Sequence, residues 1–216
     1  MQKSILILSG GLDSTVSAPL ACQETQPVLA LTFDYGQRAA RRESEAAGKI
    51  AARLKVPHKI FPLPWLGEIT QTALVNRKTD LPHRKDLDDA VEGAASASAV
   101  WVPNRNGLFL NIAACYAEDL GADLLVTGFN REEAATFPDN SAPFIEASNR
   151  FFQFSTLNQV QVTSYTLDMT KREIVAKGRE LKIPFEEIWS CYEGGSSPCQ
   201  VCESCLRMAR ALGEEP

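Results

Sequence analysis

Apolar residues recur along the chain in short dense blocks separated by longer amphipathic stretches. Ser4–Leu8 (SILIL) is a compact apolar run that enters the turn Ser9-Gly10-Gly11. It predicts a buried strand, then a helix starting near Asp13 or Ser14. Pro19 falls inside that helix and is expected to kink or shorten it. Val28–Asp34 (VLALTFD) reads as a second strand. From Arg41 to Leu54, the residues Ala46, Ala47, Ile50, Ala51 and Leu54 share one helical face. His58–Leu63 is a third strand, closed by Pro62 and Pro64. A helix is expected from about Leu108 to Leu120, with strands at Asp123–Thr127 and Val160–Leu167. Thr170-x-x-Glu173 is a capping box opening a helix to Leu181. Residues 80–99 break the rhythm, charged at first and then GAASASA, and read as a mobile surface excursion. Short apolar strands alternating with helices predict an α/β fold, a parallel five-stranded sheet with helices on both faces. Residues 1–182 are expected to form that unit and 183–216 a small C-terminal segment.

Composition narrows the partners. The 216 residues are 44% hydrophobic and 23% charged, the profile of an ordinary globular domain. Lys plus Arg is 22 against 27 for Asp plus Glu, a net charge of −5, which argues against a general grip on nucleic acid. No apolar run approaches the ~18–20 residues of a membrane span. The N-terminal run is too short for a signal peptide, so a cytoplasmic location is expected.

The six cysteines divide into two kinds. Cys22 and Cys115 stand alone in alanine-rich helical surroundings and are expected to be small buried hydrophobes. Cys191, Cys199, Cys202 and Cys205 crowd into fifteen residues, which points to metal rather than disulfides. Four thiolates suit tetrahedral Zn²⁺ with no open position, a structural site. An iron–sulfur cluster is the rival, although the usual x3-C-P continuation is missing.

The turn Ser9-Gly10-Gly11-Leu12-Asp13-Ser14 carries the chemistry. It lacks the spacing and lysine of a Walker A loop. Adjacent glycines let backbone N–H groups approach an anion, and Ser9, Ser14 and Thr15 add hydroxyls at a helix N-terminus. Asp13 fits beside phosphate if it holds Mg²⁺, or else it caps the helix.

SGGLDS resembles the PP-loop of the N-type ATP pyrophosphatases, which cleave ATP between the α- and β-phosphates and transfer AMP to an oxygen. FDYGQR (Phe33–Arg38), VPNRN (Val102–Asn106) and WSCYEGGSSPCQVCESC (Trp189–Cys205) extend the similarity to the 7-cyano-7-deazaguanine synthase family of queuosine biosynthesis. The resemblance runs from Ile5 to about Arg210. It implies conversion of 7-carboxy-7-deazaguanine and ammonia to the nitrile through an adenylated acid and an adenylated amide. It also implies ATP, Mg²⁺ and Zn²⁺ as cofactors and a homodimer.

Carried over by position, Leu8, Ser9, Gly10, Gly11, Leu12, Asp13, Ser14, Thr15, Val16, Ser17 and Ala18 would line the ATP phosphates. Asp13 and Ser14 would lie nearest the leaving group, and Arg38 would bind phosphate or the substrate carboxylate. Tyr35 and Gln37, Arg105 and Asn106, and Asn130, Glu132 and Asp139 would contact substrate, Asp139 reading a guanine-like N–H edge. Cys191, Cys199, Cys202 and Cys205 would hold zinc. Two departures stand out. Ala39 occupies a position where many members have histidine, and TGFNREEAATFPDNS replaces the commoner GVNALDYSGYPDCR. The alternatives are another adenylating PP-loop enzyme of tRNA thiolation or amidation, and a paralogue acting on a related deazapurine.

Overall fold

The computed structural model describes residues 1–83 and 87–213. Among them a five-stranded sheet runs in the order β3-β2-β1-β4-β5 with every neighbouring pair parallel. The strands are β1 (Lys3–Ile7), β2 (Gln26–Asp34), β3 (His58–Pro62), β4 (Leu124–Thr127) and β5 (Gln161–Ser164). The helices are α1 (Leu12–Glu24), α2 (Ala40–Leu54), α3 (Pro64–Ile69), α4 (Ala90–Val100), α5 (Arg105–Leu120), α6 (Arg131–Ala134), α7 (Ala142–Ser155), α8 (Lys171–Glu180) and α9 (Glu203–Leu212). Among the described residues no helix is long and apolar enough to cross a membrane.

The expected α/β architecture is therefore present, and the period of two along β1 explains its layers. Leu6 and Leu8 pack with Ala18, Ala21, Ala47 and Ile50 of α1 and α2 on one face. Ile5 joins Leu110, Ala113 and Ala117 of α5 and Phe152 of α7 on the other. Because both faces are covered, the buried stretches of the central strands are largely apolar. A third cluster joins Leu12 and Val16 of α1 to Ile174 and Val175 of α8 and Ala211 of α9, so the C-terminal helices dock against the helix that follows the glycine turn.

Four local expectations differ from the structure. Helix α1 runs through Pro19 to Glu24. Its burial between sheet and α8 outweighs the ~3 kcal/mol an interior proline costs. Within the stretch read as a mobile excursion, Ala90–Val100 form a helix whose N-cap, Asp89, accepts from the N–H groups of Val91 and Glu92. Small residues there pack against neighbours rather than signal a loop; residues 84–86 of the same stretch lie outside the described set. Helix α5 begins at Arg105, earlier than expected, after Asn104 adopts a left-handed φ of 48°. Strand β5 stops at Ser164, where Thr166 turns back and donates its hydroxyl to the Phe129 carbonyl at 2.9 Å.

Candidate active site

The turns leaving β1, β2 and β4 meet at the C-terminal edge of the sheet, where parallel sheets bind ligands. They enclose a cavity of about 240 Å³ whose walls include Ser9, Asp13, Tyr35, Arg105, Lys171 and Trp189. Gly10 has φ +80°, and a Cβ there would sit 2.5 Å from the Glu43 carbonyl oxygen. At Gly128 a Cβ would lie 2.4 Å from the Ser14 nitrogen. These glycines let α2 and the β4 exit close onto the loop. Ser14 Oγ organises it, accepting from the Ser9 N–H at 3.2 Å and sharing a 3.0 Å hydrogen bond with Ser9 Oγ. The α1 N-terminus then points its unsatisfied N–H groups into the crevice.

A buried charge network spans the crevice. Lys171 Nζ, at the first residue of α8, binds Asp13 Oδ2 and, at 2.6 Å, Glu133 Oε1. Burial pushes the Asp13 carboxyl up to about 6, against the pull of Lys171. Burial also works against the Lys171 ammonium, but Asp13 and Glu133 outweigh it and hold the proton on. Asp13 Oδ1 is buried without a partner. That orphaned oxygen suits a cation, since an unpaired buried carboxylate oxygen is costly. Across the cavity the Arg105 guanidinium donates to Tyr35 Oη at 3.3 Å. Burial weakens that cation less than Tyr35, Asp139 and Glu43 stabilise it.

The expected residues divide. Leu8, Ser9, Gly11, Leu12, Asp13 and Ser14 line the cavity, as do Tyr35, Gln37, Arg105 and Asn106. Gly10 turns its carbonyl to the Trp189 N–H at 2.9 Å. Thr15, Val16, Ser17 and Ala18 are buried in the body of α1 and face away, with Ser17 Oγ donating to the Thr127 carbonyl at 2.6 Å. Arg38 is also placed off the cavity. Its guanidinium binds Glu193 Oε1 at 2.8 Å and the carbonyls of Asn76 and Thr79, tying the β2 exit to the cysteine segment.

Asn130 and Glu132 serve the network rather than the wall. Asn130 Oδ1 accepts from the Glu133 N–H at 3.0 Å and caps α6, while Glu132 Oε1 accepts from the Lys171 N–H at 2.8 Å. Asp139 stands aside, its carboxylate accepting from Asn140 Nδ2 at 3.2 Å.

The four cysteine sulfurs lie within 4.8 Å of one another. Cys199 and Cys205 Sγ are 3.9 Å apart. Backbone N–H groups of Glu193 and Cys199 each donate to Cys191 Sγ at 3.3 Å, and Cys202 N–H donates to Cys199 Sγ at 3.3 Å. Contacts from Cys202 and Cys205, with the N–H groups of Cys199 and Glu193, draw the Cys191 thiol down, while the same sulfur contacts push Cys202 and Cys205 up. Four sulfurs this close together could hold one metal ion. The two remaining cysteines correct the expectation of burial: Cys115 is exposed on α5 and Cys22 is half-buried. Neither lines the cavity.

The family profile described as "Queuosine biosynthesis protein QueC" matches residues 3–215. The chain belongs to the QueC family. Among relatives, a 7-cyano-7-deazaguanine synthase of Pelotomaculum thermopropionicum is 53% identical over 97% of this chain and 96% of its own. Another, from Carboxydothermus hydrogenoformans, is 52% identical over 99% of both chains. Solved structures of lower identity share the fold. A U34-tRNA thiolase from Methanococcus maripaludis has a TM-score of 0.51 at 17% identity, covering 98% of this chain and 63% of that one. A predicted tRNA methyltransferase subunit from Methanocaldococcus jannaschii has a TM-score of 0.51 at 16% identity, covering 100% and 91%.

For a QueC-family chain, the residues missed by sequence reasoning are the ones that pair in space. Lys171 and Glu133 meet Asp13 from 158 and 120 positions away in the chain. One signal was available for Lys171. The Thr170 capping box, present in the structure, makes the next residue the first of a helix leaving β5 at the ligand edge. Glu43, Trp189, Ser190 and Ser204 also line the QueC-family cavity without having been expected there.

Proposed function

We propose that this chain converts 7-carboxy-7-deazaguanine to 7-cyano-7-deazaguanine with ATP and ammonia; its relatives are named 7-cyano-7-deazaguanine synthase, after that product. The observation that carries the reading is a PP-loop opening onto a cavity that Lys171 also lines, its ammonium bonded to Asp13 of the loop. The Ser9–Ser14 amides and the α1 N-terminus would receive the β- and γ-phosphates. Lys171 would neutralise charge on the departing pyrophosphate. Asp13 Oδ1 would hold Mg²⁺, which supplies charge compensation for the triphosphate when bound.

Activation is needed twice. The carboxylate oxygen attacks the α-phosphorus, pyrophosphate leaves, and ammonia displaces AMP to give the amide. The amide oxygen is adenylated in turn, and loss of AMP with the remaining N–H proton leaves the nitrile. Tyr35, Gln37, Arg105 and Asn106 form the substrate wall in this reading.

Zinc is the metal proposed for the cysteines. Four cysteine sulfurs within 4.8 Å of one another offer the closed, all-thiolate donor set that suits tetrahedral Zn²⁺. A structural role for residues 183–216, a homodimer and a cytoplasmic location belong to the same proposal. The test is incubation with ATP, Mg²⁺, ammonium and 7-carboxy-7-deazaguanine. Nitrile, AMP and pyrophosphate are expected by mass. ATP consumption only after addition of tRNA would overturn the assignment.

A further inference from the structure

Three carboxylates face the cavity: Asp13, Glu133 and Glu43. The first two share Lys171. Glu43 makes no ion pair among the described residues and accepts a single hydrogen bond, from Gln37 Nε2 to Oε2 at 2.7 Å. The Arg105 guanidinium is turned instead to Tyr35 Oη. Burial pushes the Glu43 carboxyl above its usual range, opposed in part by Gln37 and Arg105. An under-partnered carboxylate in a ligand cavity is a cost that a ligand with N–H donors would offset.

The fold holds Glu43 in place. Gln37 is itself anchored, accepting from the Tyr35 N–H at 2.9 Å and donating to the Phe33 carbonyl at 3.1 Å. The Glu43 main chain packs against Gly10, where no side chain fits. Nearby, the wall of the same cavity is aromatic. Phe33 stacks on Phe109 with ring centroids 4.1 Å apart and an interplanar angle of 10°, and Tyr35 lies 5.9 Å from Phe109. An aromatic wall beside a fixed carboxylate matches a flat heteroaromatic ring that carries two adjacent donors.

We infer that Glu43, oriented by Gln37, reads the N1–H and 2-amino edge of the deazaguanine substrate. A guanine-type ring presents those donors side by side, and a carboxylate accepts both. An adenine ring has an acceptor at N1 and no 2-amino group, so the same carboxylate keeps the ring of ATP out of the substrate position. Asp139, expected to read this edge, lies off the cavity wall and leaves the role to Glu43. The inference rests on the reaction proposed above.

The test compares wild type with Glu43→Gln, whose amide oxygen still accepts from Gln37 and so preserves the local fold. Each is given 7-carboxy-7-deazaguanine and the analogue lacking the 2-amino group, by turnover and by calorimetric binding. A site built to bond a substrate N–H rejects the analogue lacking it by about 10⁴–10⁵-fold in wild type, and the variant lowers that ratio by about 10²-fold or more. The loss falls on the natural base while the ATP KM stays near wild type. Glu43→Asp, which keeps a carboxylate, retains part of the preference. An unchanged ratio in Glu43→Gln, or a loss carried by the ATP KM, overturns the inference. Absence of nitrile from wild type would instead contradict the proposed reaction, and the binding ratio would still decide the role of Glu43.

Discussion

The PP-loop crevice and the four-cysteine segment are both built on concentrated charge, but they are assembled in opposite ways. The cysteine site draws all its ligands from fifteen consecutive residues and presents them as buried or half-buried sulfurs supported by local N–H groups. The crevice gathers Asp13, Glu43, Arg105, Glu133 and Lys171 from five separate elements, and it leaves Asp13 Oδ1 and Glu43 under-partnered. One region gathers its groups locally; the other brings them together across the fold and leaves two of them under-partnered. That contrast is the ground for proposing a structural role for the first and a chemical one for the second.

The two regions are nevertheless mechanically joined. Trp189 N–H binds the Gly10 carbonyl, Arg38 clamps Glu193, and the Arg42 guanidinium lies 5.2 Å over the Trp189 ring. Ser190 and Ser204 complete the cavity wall. The cysteine segment thus acts as a splint for the glycine turn.

Substitutions can break or sharpen this contrast. The largest effect is expected for Cys202→Ser, a fully buried member of the proposed metal site. Loss of a structural metal removes on the order of 5 kcal/mol or more of folding free energy. Soluble yield and melting temperature should collapse, and bound metal by elemental analysis should fall with them. Normal melting with selective loss of turnover would place the metal in the chemistry.

Lys171→Met comes next. It removes the cation between two carboxylates and should lower kcat by about 10²–10³-fold, the range for losing one preorganised electrostatic contact. Single-turnover measurement of pyrophosphate release checks this, and a near-normal rate would contradict the assigned position of Lys171.

Arg38→Gln should behave in the opposite sense. Its side chain is 8% exposed, and both terminal guanidinium nitrogens bond to protein while Nε is buried without a partner. The variant is expected to lose about 1–3 kcal/mol of stability while kcat stays near that of wild type. A large kcat defect with unchanged melting would return Arg38 to the active site.

The smallest effect is a pH dependence. The Glu43 carboxyl is raised in the folded chain, so its contribution to stability is present below its unfolded pKa and is lost as pH rises through the folded value. Glu43→Gln should therefore melt slightly above ligand-free wild type at pH 8. The gap should close toward pH about 4, the ordinary glutamate range. A gap that widened on acidification would reverse the sign argued here.

What was legible in the sequence follows the same division. The sheet, the glycine turn and the cysteine cluster are local patterns, read from period, turn chemistry and spacing. Helix α4 was not, because a run of alanines and serines carries no amphipathic stripe and looks like a loop until tertiary contacts bury Ser96 and Ala97. Asn130 and Glu132 were expected at the crevice edge from their place in the turn after β4, and neither lines the cavity. Their side chains nevertheless serve Glu133 and Lys171, a relation set by how β4 and β5 lie side by side. Arg38 sits one residue past the inward-facing Gln37, and that single step turns it toward the splint.

The central claim is that this crevice transfers AMP to a substrate oxygen, and oxygen-isotope tracing tests it most directly. With both carboxylate oxygens of 7-carboxy-7-deazaguanine labelled with heavy oxygen, the nitrile should emerge unlabelled. Each of the two AMP molecules formed per nitrile should carry one labelled oxygen, with unlabelled pyrophosphate. Label appearing in inorganic phosphate, with ADP in place of AMP, would contradict the account.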